Sequence, residues 1–156
     1  MNVEFINPFL NATINVISTM AFCEIKAGAP IIRKTNTTSG VVTGFIGLAG
    51  PNVIGSVIIS FTKESILEIV SKMLGEEFTE ITPDVEDAVG EITNMIVGGA
   101  KRILSSKGFK FDMAIPTIIK GENVSINLKT RGARIVIPFN LGNGSFFEVE
   151  ACIEEY

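Results

Sequence analysis

Residues 41–61 and 133–153 share one design: an apolar, β-rich run, a turn, and a second apolar, β-rich run. The turns are Gly50-Pro51-Asn52 and Gly142-Asn143-Gly144, residue types that supply the restricted or left-handed backbone a reversal needs. Two long hairpins carry apolar faces that water would penalise, so elements elsewhere in the chain must cover them.

Helical patterns precede each hairpin. Asn7-Pro8 followed by apolar residues at 10, 14, 17 and 21 predicts a helix to about Ala21, with Asn7 as N-cap and Pro8 in the first turn. Strands are expected at 29–33, 41–48 and 53–61, then a short helix to Leu74 with Thr62 as cap, Glu64 in the first turn and Gly75 as its stop. Thr82-Pro83-Asp84 opens the best-marked element, a helix expected over 83–105, with acidic residues at its start and Lys101 and Arg102 near its far end. Further strands are expected at 111–115, 124–130, 133–140 and 146–153. The predicted fold is α+β: one domain of two similar helix-plus-strands halves, about 1–80 and 81–156, around a shared, mainly antiparallel sheet with long helices packed on it.

Composition narrows function. Thirteen basic and seventeen acidic residues give a net charge of −4, which opposes the counterion release that nucleic acids reward. The 46% hydrophobic content is spread over short clusters, and no run of about 18 apolar residues suggests a membrane span. The start, Met1-Asn2-Val3-Glu4, lacks a basic region followed by a long apolar stretch, so a cytoplasmic location and reduced thiols at Cys23 and Cys152 are expected. The sequons at Asn11, Asn36, Asn123 and Asn143 then read as chance. With no histidine in the chain, neither a Ser-His-Asp nor a Cys-His nucleophile can be built, and no zinc spacing is present. Gly44, Gly47, Gly50 and Gly55 surround a hairpin instead of a strand-to-helix turn, and read as turn and packing glycines rather than a phosphate loop.

On the 83–105 helix, Val85, Val89, Ile92, Ile96, Gly99 and Ile103 form one stripe that should face the core. Asp87, Glu91, Asn94 and Gly98 line up on the opposite face, four, three and four apart. Gly98 and Gly99 inside a helix cost up to ~1 kcal/mol each relative to Ala, so at least one should serve close packing or close approach. Such a polar face is ordinarily solvated, and spacing alone assigns it no chemistry. Asp84, Glu86 and Asp87 suit the helix N-terminus, so Asp87 is left out of catalysis. Asp87 and Glu91 alone offer too few oxygens for Mg²⁺ or Ca²⁺. The basic residues Lys101, Arg102, Lys107 and Lys110 read first as helix-end cations.

Asp87-x-x-x-Glu91-x-x-Asn94 at the opening of a long helix, followed by Pro116 after a strand, resembles the CheC/CheX/FliY family of bacterial chemotaxis phosphatases. Phe5-Ile6-Asn7-Pro8-Phe9 is similar to the start of its CheX branch. CheC-like members carry the motif on both long helices. Here Glu4-x-x-Asn7 is a formal second copy, but with Asn7 as a cap it would stand at or before the helix start, off any regular face. The resemblance implies removal of the phosphoryl group from the aspartyl-phosphate of a CheY-type response regulator, with Asn94 positioning the attacking water and Glu91 docking a lysine of the regulator. It implies no cofactor bound by this chain, Mg²⁺ in the partner regulator's site, and a homodimer; the interface is expected to join sheet edges or strands and to leave the Glu91/Asn94 face open, since a covered face could not reach a regulator. A non-enzymatic flagellar-switch or adaptor domain of related fold is the alternative, and a small-molecule binding module is third.

Overall fold

The computed structural model describes residues 3–156. In chain order these form α1 (Val3–Ala21), β1 (Lys26–Ala27), β2 (Ile31–Ile32), β3 (Val42–Ala49), β4 (Val53–Phe61), α2 (Lys63–Leu74), α3 (Pro83–Ser106), β5 (Asp112–Met113), β6 (Thr117–Lys120), β7 (Ile135–Asn140) and β8 (Phe146–Glu155). All strand pairs are antiparallel, in the order β1-β7-β8-β4-β3-β5, with β2 also on β7 and β6 also on β3. The expected α+β class and both long hairpins are therefore present. The two hairpins meet at their second strands, Val57 opposite Ala151. Each hairpin's first strand takes its edge cover from the other half of the chain: β1 and β2 lie on β7, and β5 and β6 on β3.

Strand alternation divides the sheet into two faces. Val57, Ile59, Phe61, Ile135, Ile137, Phe139, Phe147, Val149 and Ala151 join a core with the three helices. Phe147 stacks between Phe61 and Phe139, with ring centroids 5.1 and 5.2 Å away. Such aromatic pairs contribute about 0.5–1.5 kcal/mol each beyond area burial. On the other face, the carboxylates of Glu148 and Glu150 hold Arg33, and Glu150 also holds Arg134. Arg134 donates to the carbonyl of Ile126 at 2.7 Å, so the pairs fasten the surrounding loops to β8.

Several expectations need correction. Asn7 is not an N-cap, because α1 already runs from Val3 and Pro8 lies inside it. A proline there loses a backbone hydrogen bond, a cost of about 3 kcal/mol. Core burial of Phe5, Ile6 and Phe9 offsets that cost, and the Phe5 ring lies 4.7 Å from that of Phe109. The stretch 124–130 is not a strand. The sheet-edge positions on β3 and β7 are occupied by β5, β6, β1 and β2, and its backbone bonds go to a loop instead, Thr38 N–H to Val124 O at 2.9 Å and Ile126 N–H to Asn36 O at 2.9 Å. The strands expected at 29–33, 111–115 and 133–140 shorten to β2, β5 and β7, whereas β1 and β6 were not anticipated.

The caps read from sequence for α2 and at the start of α3 are in place. Thr62 accepts from Ser65 N–H and Thr82 from Val85 N–H, and Gly75 ends α2 at φ 69°. α3 sits close to β3 because Gly44 has no side chain: a Cβ there would stand 2.1 Å from Thr93 Oγ1. That hydroxyl is buried and donates to Val89 O at 2.7 Å, so it has little freedom to move. Gly44→Ala is expected to cost about 1–3 kcal/mol, the usual range for overpacking, as read by chemical denaturation. The same change in a Thr93→Ala background should cost clearly less; an equal cost would mean that the contact with Thr93 is not the cause.

Candidate functional site

α3 positions the site. Val85, Val89, Ile92 and Ile96 are fully buried and Ile103 half-buried, while Ala88, Thr93, Val97, Ala100 and Leu104 widen the buried stripe. A helix anchored this firmly presents its outer face in fixed register. Asp87, Glu91 and Asn94 are exposed on that face as expected, with Gly98 half-exposed beyond them. Within the described residues, the side chains of Glu91 and Asn94 make no hydrogen bond or ion pair. One helical turn separates them, so their Cβ atoms are roughly 5–6 Å apart.

Both line an open cleft of ≈ 640 Å³ with Pro83, Glu86, Asp87, Gly90, Pro116 and Ile118. The cleft is the seam between α3 and β6. Gly90 faces Ile118 across it, where a Cβ would make an ordinary van der Waals contact with Ile118 Cδ1 at 3.5 Å. Glu86 pairs with Lys120 across the same seam at 3.6 Å. Glu86 thus braces helix against strand in addition to its place in the first turn of α3. Gly90, Ile118 and Lys120 were missed by sequence reasoning because β6 was missed; the signal available was the i, i+4 pair Glu86 and Gly90 beside the motif. Pro116, singled out from sequence, does meet the motif face.

The cleft lining contains no serine, threonine, cysteine or lysine to act as a nucleophile. Cys23 and Cys152 are buried free thiols, and desolvation by burial pushes both above their ordinary pKa. Among the described residues, no group of three or more Cys, Asp or Glu side chains could hold a metal ion. What the exposed α3 face offers in this cleft is the carboxylates of Asp87 and Glu91 and the amide of Asn94, open to a partner. The Glu4-x-x-Asn7 copy has a different setting from that expected: both residues are exposed on α1 itself. The reason for setting it aside, a position off any regular face, does not hold. Of the basic residues, Lys101 lies 3.9 Å from Asp112, Lys107 caps α3, and Arg102 lies on the motif face.

Comparison with known proteins follows the same lines. A curated relative from Thermotoga maritima, the CheY-P phosphatase CheX, is 26% identical over 156 residues, spanning 99% of this chain and 98% of that protein. The crystal structure of a CheC-like superfamily protein from Shewanella sp. PV-4 superposes with a TM-score of 0.91 at 47% identity, covering 99% of both chains. The CheX–CheY–BeF₃–Mg²⁺ complex from Borrelia burgdorferi contains a chain with a TM-score of 0.84 at 34% identity, covering 99% of this chain and 100% of that one. The family model described as chemotaxis phosphatase CheX matches residues 42–140, which include both hairpin strands of the first half, all of α3 and β7. On that match and on this fold, the chain belongs to the CheX family of chemotaxis phosphatases.

Proposed function

We propose that this protein hydrolyses the aspartyl-phosphate of a CheY-type response regulator, with Asn94 placing the attacking water and Glu91 holding the regulator in register. The observation that carries this reading is the pair itself: an exposed carboxylate and an exposed amide, one turn apart, on the rim of one cleft and engaged by nothing else among the described residues. The Thermotoga relative's name and the Borrelia complex, in which a CheX meets CheY with BeF₃ and Mg²⁺, support the partner and the reaction.

The chemistry asks for position more than for a nucleophile. The Asn94 amide can accept a hydrogen bond from a water while its NH₂ donates to a phosphoryl oxygen, which sets the water in line with phosphorus. Water oxygen then bonds to phosphorus, and the bond from phosphorus to the aspartyl oxygen breaks. The aspartate leaves as a carboxylate, and a water proton passes to the departing inorganic phosphate. Mg²⁺, carried in the regulator's own site, neutralises developing charge on the phosphoryl group. Glu91 meets a cation of the regulator beside its phosphorylation site and so aims Asn94.

The deciding assay is decay of a phosphorylated CheY-type regulator at fixed Mg²⁺ with and without the protein. Accelerated decay supports the phosphatase; binding of the regulator with unchanged decay would make the chain an adaptor. No helix among the described residues is long and apolar enough to cross a membrane, which is compatible with action beside a cytoplasmic regulator.

The mirrored strand order, with each half covering the other's hairpin, supports a single domain built from a duplicated half, about 1–80 and 81–156. The assembly is a homodimer in this reading. Its interface covers sheet edges such as β2, where Ile31 and Ile32 are 55% and 58% exposed, and leaves α3 open. Light scattering at micromolar concentration is expected to give the mass of two chains; a monomer would overturn this.

A further inference from the structure

Asn94 borders a second groove, of ≈ 410 Å³, that runs between α1 and α3. Its α3 wall is Asn94, Met95, Gly98 and Arg102, and across it stand Val16 and Met20 of α1. Val16, Met20 and Met95 are half-buried, so the groove has an adaptable apolar floor. Positions 91, 94, 98 and 102 fall on one row of the helix, with Glu91 and Arg102 about 16 Å apart along the axis at 1.5 Å per residue. A partner that covers Asn94 therefore also covers this groove.

Two observations separate it from ordinary surface. Gly99 has an internal reason to be glycine, because a Cβ there would lie 3.1 Å from Ala12 Cβ. Gly98 has none: a Cβ would meet nothing within 4 Å. A glycine in mid-helix costs up to ~1 kcal/mol relative to alanine, and here the space it leaves opens onto the groove. The second observation concerns Arg102. α3 runs to Ser106, and no basic residue lies in its last turn, so the helix dipole does not explain that arginine. Arg102 is exposed and makes no hydrogen bond or ion pair among the described residues, unlike Lys101 with its Asp112.

We propose that the α1/α3 groove docks the phosphorylated regulator and that Arg102 is its specificity residue, taking a carboxylate on the regulator about three helical turns from the cation that meets Glu91. The occupant is a regulator surface ordered as cation, apolar strip, carboxylate, complementary to Glu91, the Val16/Met20/Met95 floor and Arg102. Opposite charges at the two ends of the row fix the direction in which the partner lies, and a regulator with the order reversed is repelled at both ends. This inference rests on the phosphatase reading of Glu91 and Asn94.

Two measurements on Arg102→Glu and Arg102→Lys test it: steady-state hydrolysis of the phosphorylated regulator, and titration with the regulator held active by BeF₃⁻ and Mg²⁺. Arg102→Glu is expected to raise KM and weaken binding by about fivefold or more, with kcat within about twofold, because like charge is set against the partner's carboxylate. Arg102→Lys should recover most of the affinity. Thermal stability should not change. An unaltered KM and Kd in Arg102→Glu, a fall in kcat alone, or a loss of stability alongside affinity would each overturn the proposal. If the wild type binds the activated regulator but does not hydrolyse it, the phosphatase reading fails while the binding titration still decides the role of Arg102.

Discussion

Asn94→Ala is expected to lower the rate of regulator dephosphorylation by about 10²-fold or more, the scale seen when one preorganised donor is removed from a reacting centre. The side chain is exposed and contacts nothing that holds the fold, so stability should stay within about 0.5 kcal/mol of the parent. Regulator affinity should change little if, as proposed, the amide places a water and does not carry the interface. The size of the effect also settles the standing of Glu4 and Asn7 on α1. Two equivalent, independent sites would lose only about half the activity when either amide is removed. A twofold loss in both Asn94→Ala and Asn7→Ala would therefore sink the single-site reading. Near-complete loss in the first, with little change in the second, supports it.

Glu91→Lys is expected to lower kcat/KM by about 10²-fold or more, because a like charge set against the regulator's cation costs several kcal/mol in a desolvated contact. Glu91→Gln keeps the shape and removes the charge, so its loss should be intermediate. Thermal denaturation measured beside the kinetics separates docking from folding. Glu91 is exposed one turn from Asn94, and its replacement should leave the melting temperature unchanged. A melting temperature that falls together with activity would mean that Glu91 supports the helix and that the docking assignment is wrong.

The parts of this molecule that sequence revealed are those governed by local chemistry. Thr62, Gly75, Thr82 and Pro83 each act within a few residues, so α2 and α3 were bounded almost to the residue. The Glu91/Asn94 face followed from the helical period once α3 was bounded. The start of α1 was misplaced because Asn7-Pro8 is a good local start signal, and the burial of Phe5 and Phe9 that overrides it is a tertiary effect. Residues 124–130 have strand composition, yet the sheet edges they would join are taken by β1, β2, β5 and β6. β6 itself, four residues with Ile118 and Ile119 side by side, has no alternation to betray it. The cleft against α3 therefore stayed hidden, and with it Gly90 and the pair between Glu86 and Lys120.

The position of β8 has a consequence for how the chain is made. This strand, Phe146–Glu155, lies between β7 and β4 and joins the two hairpins across the middle of the sheet. A chain emerging from the ribosome can form α2 or the β3–β4 hairpin early, since their contacts are local. It cannot close the sheet until residues 146–155 have left the exit tunnel, because β4 then pairs with a segment some ninety residues downstream, Val57 with Ala151. Until that moment β4 exposes an unpaired edge rich in valine and isoleucine, a hazard for association between nascent chains. Closure of the sheet thus waits for the synthesis of β8, whereas α3 packs on α1 and β3, which are both made before it.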